Sequence, residues 1–371
     1  MNKIINIFKN VDKWLFIVPL CLGIISVTMM LSTSYTTHIN ISGTVINQTA
    51  AFILGFIAIF VIMQIDYSIF EDWQKQLYII SVGLLLLPFV PGLGKEVNGA
   101  RSWIDLRVTT LQPSEFVKIT FCLLMAGYLI KNKDQLYSFK GFFKALLFAA
   151  PIIGIVLIED FGSAAVFAMM WLAMVLFAGL SMKVFTKVLI GGICLFPIAY
   201  NMLASYQQSR ITAFLYPDDL TNEATRQVFF SKIAIGSGGL FGKGLFHGTQ
   251  NTLNFLPIKN SDFIFAVIVE EFGLMGGLVL IGLFILLIRA LLKSAWETKD
   301  NFGSLVIIGF TGMFLFQIFE NIGMCMGLMP VTGITLPFIS YGGSSVLTNL
   351  IAVGFAINIV KANRGVAFLP E

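Results

Sequence analysis

The residues able to do chemistry are few in this sequence, and most sit in apolar surroundings. There are two histidines, His38 and His247, and four cysteines, Cys21, Cys122, Cys194 and Cys325. The cysteines show neither pairing nor metal-ligand spacing and read as small apolar packing residues. So few histidines exclude a His-rich metal centre and argue against a Ser–His–Asp arrangement. Any chemistry therefore rests on carboxylates, Lys, Arg and hydroxyls. An ionisable group inside a long apolar run costs several kcal/mol, so each one needs a reason. Glu115 and Lys118, at i and i+3 behind Pro113, share one helix face and can pair. A structural ion pair and a functional pair are both consistent with that spacing, and either turns the face inward. Glu159 and Asp160 precede the apolar run that opens Phe161–Gly162, where Asp160 could cap a helix or line a cavity. Glu320 and Asn321 lie inside another apolar run and must face protein or water.

The strongest local signal is Leu256–Pro257–Ile258–Lys259–Asn260–Ser261–Asp262–Phe263–Ile264–Phe265, followed by Glu270–Glu271–Phe272–Gly273. Asp262 stands where a hydrophilic stretch enters an apolar one, partly desolvated by the three residues after it. Such burial raises the pKa of a carboxylate, and a base tuned that way can take a proton from a hydroxyl. An N-cap for the following helix accounts for the same position.

The elements that must carry these groups follow from composition. Of 371 residues, 57% are hydrophobic and 12% charged, with a mean hydropathy of +0.86. A soluble domain carries roughly 25% charged residues, too many more for a water-exposed surface to be built here. The apolar residues come in long blocks, near 14–33, 48–65, 77–92, 112–130, 142–158, 162–180, 184–204, 262–288, 303–328 and 338–360. A bilayer core takes about 20 apolar residues per helix, whereas barrel strands alternate over about ten. The expected fold is an all-α integral membrane protein of about ten transmembrane helices in a single polytopic domain. The first block lacks a small-residue cleavage pattern and reads as a retained anchor.

Lys and Arg set the orientation. With the N-terminus inside, every inner segment carries basic residues, Lys13, Lys75, Lys131, Lys183, Arg289 and Lys361 among them, while 34–47 and 331–337 carry none. Both termini are then cytoplasmic. Outer positive charge is confined to 93–111 and the large extracytoplasmic loop 205–261, where it opposes the topology and so serves something anionic. A long loop also translocates regardless of charge, which is the plainer account of the second. That loop holds an amphipathic run, Thr225 to Ile235, suited to lie on the membrane surface. It also holds Gly236–Ser237–Gly238–Gly239–Leu240–Phe241–Gly242–Lys243–Gly244, one residue short of a P-loop and lacking its Ser/Thr. A glycine turn presenting amides to a pyrophosphate stays open.

The chain resembles the SEDS family (shape, elongation, division and sporulation) of bacterial cell-wall membrane proteins. The resemblance spans essentially the whole chain. It rests on Asn98–Gly99–Ala100–Arg101–Ser102–Trp103–Ile104, Gln112–Pro113–Ser114–Glu115–Phe116–Val117–Lys118, Ile233–Ala234–Ile235–Gly236–Ser237–Gly238–Gly239 and Ser261–Asp262–Phe263–Ile264–Phe265 with Glu270–Glu271. It continues in Asn321–Ile322–Gly323–Met324, Pro330–Val331–Thr332–Gly333 and Leu336–Pro337–Phe338–Ile339–Ser340–Tyr341–Gly342–Gly343–Ser344–Ser345.

The resemblance implies a ten-span glycosyltransferase of the bacterial cytoplasmic membrane that polymerises peptidoglycan from lipid II on the outer face, during elongation and rod-shape maintenance. Its implied partners are a class B penicillin-binding protein that crosslinks the new strand, lipid II and the nascent glycan strand, the elongation machinery and membrane lipid, with no nucleic acid. The family's catalytic Asp falls on Asp262. The acceptor 4-hydroxyl would attack the anomeric carbon with inversion, Asp262 acting as general base. The departing undecaprenyl pyrophosphate needs positive charge, for which Arg101, Arg210, Lys118 and Lys243 are candidates. A divalent cation, Mg or Mn, held between carboxylates and the pyrophosphate would add to it, although the sequence assigns no metal ligands. Trp103, Glu115, Asp160, Ser261 and Ser340 complete the expected substrate-binding set.

Two departures stand out. Members of the family often carry Gln-Pro-Asp-Leu-Gly-Thr where this chain reads Ile158–Glu159–Asp160–Phe161–Gly162–Ser163, so an acid replaces the proline. Before Ile233 the usual Tyr-Gln-x-x-Gln-Ser is here Arg226, Gln227, Phe230 and Ser231 in part. Two other functions compete: a lipid II flippase or other transporter, which also needs intramembrane Glu115, Lys118 and Asp160, and a non-catalytic scaffold that activates a partner synthase, in which Asp262 would only cap a helix.

Overall fold

The computed structural model describes residues 12–34, 42–97, 100–105, 110–249, 255–256 and 259–365. A helix lies on each of the ten apolar blocks: α1 (Trp14–Thr33), α2 (Gly43–Ile62), α3 (Gln74–Leu86), α4 (Pro113–Lys131), α5 (Phe139–Glu159), α6 (Phe161–Phe177), α7 (Met182–Met202), α10 (Ile264–Glu297), α11 (Asn301–Met326) and α12 (Gly343–Gly365). Two more, α8 (Ser205–Leu215) and α9 (Glu223–Ser237), occupy the hydrophilic segment between α7 and α10. Among the described residues, seven helices are long and apolar enough to cross a membrane, and Gln74–Phe89 and Phe161–Phe177 are shorter apolar helices. The protein is thus a mostly helical, multi-pass membrane protein. Several boundaries differ from the sequence expectation: α2 starts at Gly43, five residues before position 48, and α3 ends at Leu86, six before position 92. Helix α10 runs nine residues past position 288, and the last helix starts at Gly343 because 336–341 forms a turn.

The bundle closes through small residues where helices meet, as expected where lipid supplies no hydrophobic drive between them. A Cβ on Gly55 of α2 would lie 2.2 Å from the Leu350 side chain of α12. One on Gly309 of α11 would lie 2.3 Å from Cys122 Sγ of α4 and 2.8 Å from Met174 Sδ of α6. Cys122 and Cys325 pack in the core as expected, whereas Cys194 on α7 is exposed. The end of α2 shows how the bundle satisfies its own backbone: Asn358 of α12 donates to the carbonyls of Ile62 and Ile65 at 3.0 and 2.7 Å. The Ile62 carbonyl, at the last residue of α2, also accepts from the Ile65 amide at 3.0 Å, and Ile65 lies just beyond the helix.

A small antiparallel sheet, β1 (Gly94–Val97), β2 (Ala100–Asp105) and β3 (Thr110–Leu111), precedes α4. Its register sets Lys95 opposite Trp103 and Asp105 opposite Thr110. The Gln112 amide donates to Ser344 Oγ at 3.2 Å, tying the start of α4 to that of α12.

The amphipathic run of the hydrophilic segment is helical, with Asn222 accepting from the Ala224 amide as N-cap. It does not lie apart on a surface, because α9 packs on α10 and α11 and buries Thr225, Ser231 and Ala234. The glycine-rich turn after it also departs from expectation. Its amides are engaged by protein: Lys243 N–H bonds the Glu270 carbonyl at 3.0 Å and Gly244 N–H that of Glu271 at 2.9 Å. These carbonyls are exposed because α10 is broken at Gly273, whose φ of 69° only glycine adopts readily. The amides of Leu274 and Met275 return bonds to Gly239 and Leu240. The loop is a clasp on a broken helix, with those amides unavailable to a phosphate.

Candidate active site

One cavity of about 590 Å³ gathers most of the residues singled out above. Trp103, Glu115, Lys118, Asp160, Arg210, Ser261 and Asp262 all line it, contributed by β2, α4, the α5–α6 junction, α8 and the turn before α10. Glu115 and Lys118 lie in the first two turns of α4, Asp160 between α5 and α6, and Ser261 and Asp262 just before α10, so the lining gathers at one end of these bundle helices.

Asp262 is held by a chain of buried polar contacts. It does not cap α10: the N-cap position is Phe263, and no side-chain bond caps that helix. Its Oδ1 instead accepts from the Ser261 hydroxyl at 2.6 Å. Its backbone carbonyl accepts from Asn321 Nδ2 of α11 at 2.9 Å, and the same amide reaches the Ile334 carbonyl at 2.8 Å. Phe263, Ile264 and Phe265 behind it are buried, as the sequence expected. This burial pushes the Asp262 carboxyl above its ordinary range. The Ser261 hydroxyl and the Arg210 guanidinium oppose the rise, and the nearby Asp160 carboxylate adds to it.

Ser340 is not among the lining residues, and its place in the fold explains its value. Its hydroxyl donates to the Ser261 carbonyl at 2.6 Å and accepts from the Leu336 amide at 2.8 Å. The Tyr341 amide donates to the Asn260 carbonyl at 2.8 Å, so the 336–341 turn grips the Asp262 segment at two points. That turn is strained, since Phe338 has φ 64°. It is fixed by the full burial of Phe338, stacked on Phe314 at 5.4 Å. It is held from the other side by α1 and α2: Ser26 Oγ donates to the Ile339 carbonyl, and Gln48 bonds Ser26, the Ser340 carbonyl and the Gly342 amide. Gln48 is an amide at the polar start of an apolar block, beside Asn47, and it is fully buried.

Arg210 donates to the Thr332 carbonyl at 2.6 Å, and Thr332 in turn donates its hydroxyl to Glu320 Oε1. Gly333, at φ 78°, adjoins both Asp262 and Arg210: a Cβ there would lie 3.5 Å from Asp262 Oδ2 and 3.7 Å from the guanidinium. A bare backbone therefore separates carboxylate and cation where a side chain would intrude. Lys118 and Glu115 do form their pair, at 2.6 Å, with both residues buried. Asp160 performs both roles left open for it. It caps α6 through the amides of Gly162 (3.2 Å) and Ser163 (2.8 Å), and it lines the cavity.

Two residues fall elsewhere. Lys243 is not among the lining residues; its ammonium pairs with Glu270 at 2.7 Å and also donates to Thr249. The Arg101 backbone belongs to β2, but its side chain lies outside the described structure. Among the described residues, no group of three or more His, Cys, Asp or Glu is gathered as a metal cage. Glu159 and Gln317, unassigned by the sequence reading, also line the cavity.

The profile of a family described as "Cell cycle protein", grouping FtsW, RodA and SpoVE, matches residues 12–365. The chain is 38% identical over 314 residues to stage V sporulation protein E of Bacillus subtilis (strain 168), covering 84% of this chain and 85% of that protein. It is 37% identical over 309 residues to peptidoglycan glycosyltransferase MrdB of Escherichia coli (strain K12), covering 82% of each. Among solved structures it matches a chain from work on the structural coordination of polymerization and crosslinking by a peptidoglycan synthase complex. There the TM-score is 0.81 and the identity 26%, covering 95% of this chain and 98% of that one. The rod shape determining protein RodA of Thermus thermophilus gives a TM-score of 0.69 at 26% identity, covering 95% and 97%. This chain belongs to the FtsW, RodA and SpoVE family that its motifs resemble.

Proposed function

We propose that this protein is a peptidoglycan glycosyltransferase of the bacterial cytoplasmic membrane, with its cavity facing outward. It polymerises lipid II during elongation, alongside a class B penicillin-binding protein that crosslinks the product. The observation that carries this reading is the cavity itself: a partly buried carboxylate, Asp262, beside a guanidinium and a buried ion pair, at one end of an apolar bundle. A transporter would need a path reachable from both sides, and the confinement of the lining to one end favours chemistry there.

The reaction has one displacement. The acceptor 4-hydroxyl oxygen bonds the anomeric carbon of a second lipid-linked disaccharide as the bond to pyrophosphate breaks, inverting that carbon. Asp262 takes the hydroxyl proton. Its displaced pKa suits it to this, because a base needs appreciable affinity for the proton it removes. The leaving pyrophosphate is already anionic and needs cations more than an acid, and Arg210 and Lys118 supply them. A divalent cation would have to be shared with the pyrophosphate itself, since the described residues gather no cage for one. Ser340, behind Ser261, positions the base without reaching the substrate.

Polymerisation of purified lipid II by the chain with its transpeptidase-blocked partner tests the assignment. Glycan product that depends on this chain supports it, and transfer of lipid II across vesicles without product would favour transport. Two further results are expected from the same assay. Ser340→Ala removes one bond inside the 336–341 turn and one from the turn to Ser261, and should lower kcat about tenfold with KM nearly unchanged, at a stability cost of about 1 kcal/mol. The rate should also fall on the acid side, as Asp262 gains its proton, with a midpoint above the ordinary 3.8 of an aspartate. Arg210→Gln removes a charge that favours the ionised form, so the acid limb should move to higher pH. A limb that stays in place would break the link between Arg210 and Asp262.

A further inference from the structure

The same cavity carries a group of hydrogen-bond acceptors that the protein leaves without donors. Glu159, the last residue of α5, is 2% exposed, and neither carboxylate oxygen has a hydrogen-bond partner among the described residues. Gln317 of α11 is 1% exposed, and its Oε1 is likewise unpartnered. Both line the cavity that holds Asp262. Burying acceptors without donors is costly, and two of them from separate helices in one cavity are not explained by capping or packing. Capping at this junction is done by Asp160, next to Glu159.

We infer that Glu159 and Gln317 form a saccharide subsite that accepts hydrogen bonds from the hydroxyl and acetamido N–H groups of a lipid-linked amino sugar. The pyrophosphate belongs with the cations Arg210 and Lys118, and the O–H and N–H donors of the sugar suit the unpartnered oxygens of Glu159 and Gln317. The inference rests on the glycosyltransferase reading and adds to it residues that determine sugar recognition. Glu159 stands where the family pattern above carries proline, which could accept no such bond through its side chain.

Binding measured without turnover separates the two claims. In an Asp262→Asn background reconstituted in nanodiscs, affinities are read for lipid II and for undecaprenyl pyrophosphate, which lacks the sugars. Glu159→Ala and Gln317→Leu should each weaken lipid II binding about tenfold or more while undecaprenyl pyrophosphate binds as before. Glu159→Gln, keeping one acceptor oxygen, should recover part of the loss. In the Asp262 parent, turnover should show the loss mainly in KM. Equal weakening toward both probes would mean a structural role, and unchanged lipid II affinity would mean no contact; either overturns the subsite and leaves the function standing. Failure of the background protein to bind either probe would overturn both.

Discussion

Asp262→Ala and Asp262→Asn should each lower lipid II polymerisation by about a thousandfold while the protein still folds, within the range that general-base catalysis contributes. Asparagine preserves the shape of the side chain and can still accept from the Ser261 hydroxyl, but it cannot take a proton from the acceptor. The fold should survive, because Asp262 is held through its backbone carbonyl by Asn321 and does not cap α10. Thermal unfolding of each variant, measured beside its rate, distinguishes a chemical loss from a structural one. Near-normal polymer from either variant would move the base elsewhere in the cavity, which the carboxyl groups of Asp160, Glu115 and Glu159 also line.

Lys118→Met should be the most destabilising single change among the lining residues. Lys118 and Glu115 meet at 2.6 Å with side chains 2% and 7% exposed, and removing the ammonium strands a buried carboxylate. Breaking such a pair from one side costs about 3–5 kcal/mol, whereas replacing both partners with neutral groups is often close to neutral. Glu115→Gln with Lys118→Met should therefore recover most of the lost stability. Polymerisation should not return, because the positive charge next to the leaving pyrophosphate is still missing. Heat-inactivation midpoints and rates for the two single variants and the double variant decide the matter. A double variant active at the parent rate would reduce the pair to a structural brace.

The helices were legible because the bilayer dictates their length: each apolar block of the sequence carries one, and Pro113 opens α4 at its first residue. The motif residues converge as expected, with Trp103, Glu115, Lys118, Asp160, Arg210, Ser261 and Asp262 in one cavity. What was not legible depends on contacts distant in sequence. Gln48 and Ser26 hold a turn 292 and 313 positions away, and no local spacing announces that. Lys243 looked like a pyrophosphate ligand because its partner, Glu270, is brought to it by the break at Gly273. The glycine loop was ambiguous for the same reason, since its amides find carbonyls that an unbroken α10 would have used internally. Whether Asp262 capped a helix turned on a one-residue difference in where α10 begins, finer than periodicity resolves.

The most direct test of the account is glycan formation from lipid II in proteoliposomes holding this chain with a transpeptidase-inactive partner, run in parallel with the Asp262→Asn chain and with the partner alone. The account predicts long glycan strands from the first and none from the other two. Equal strand formation with Asp262→Asn, or with the partner alone, would contradict it.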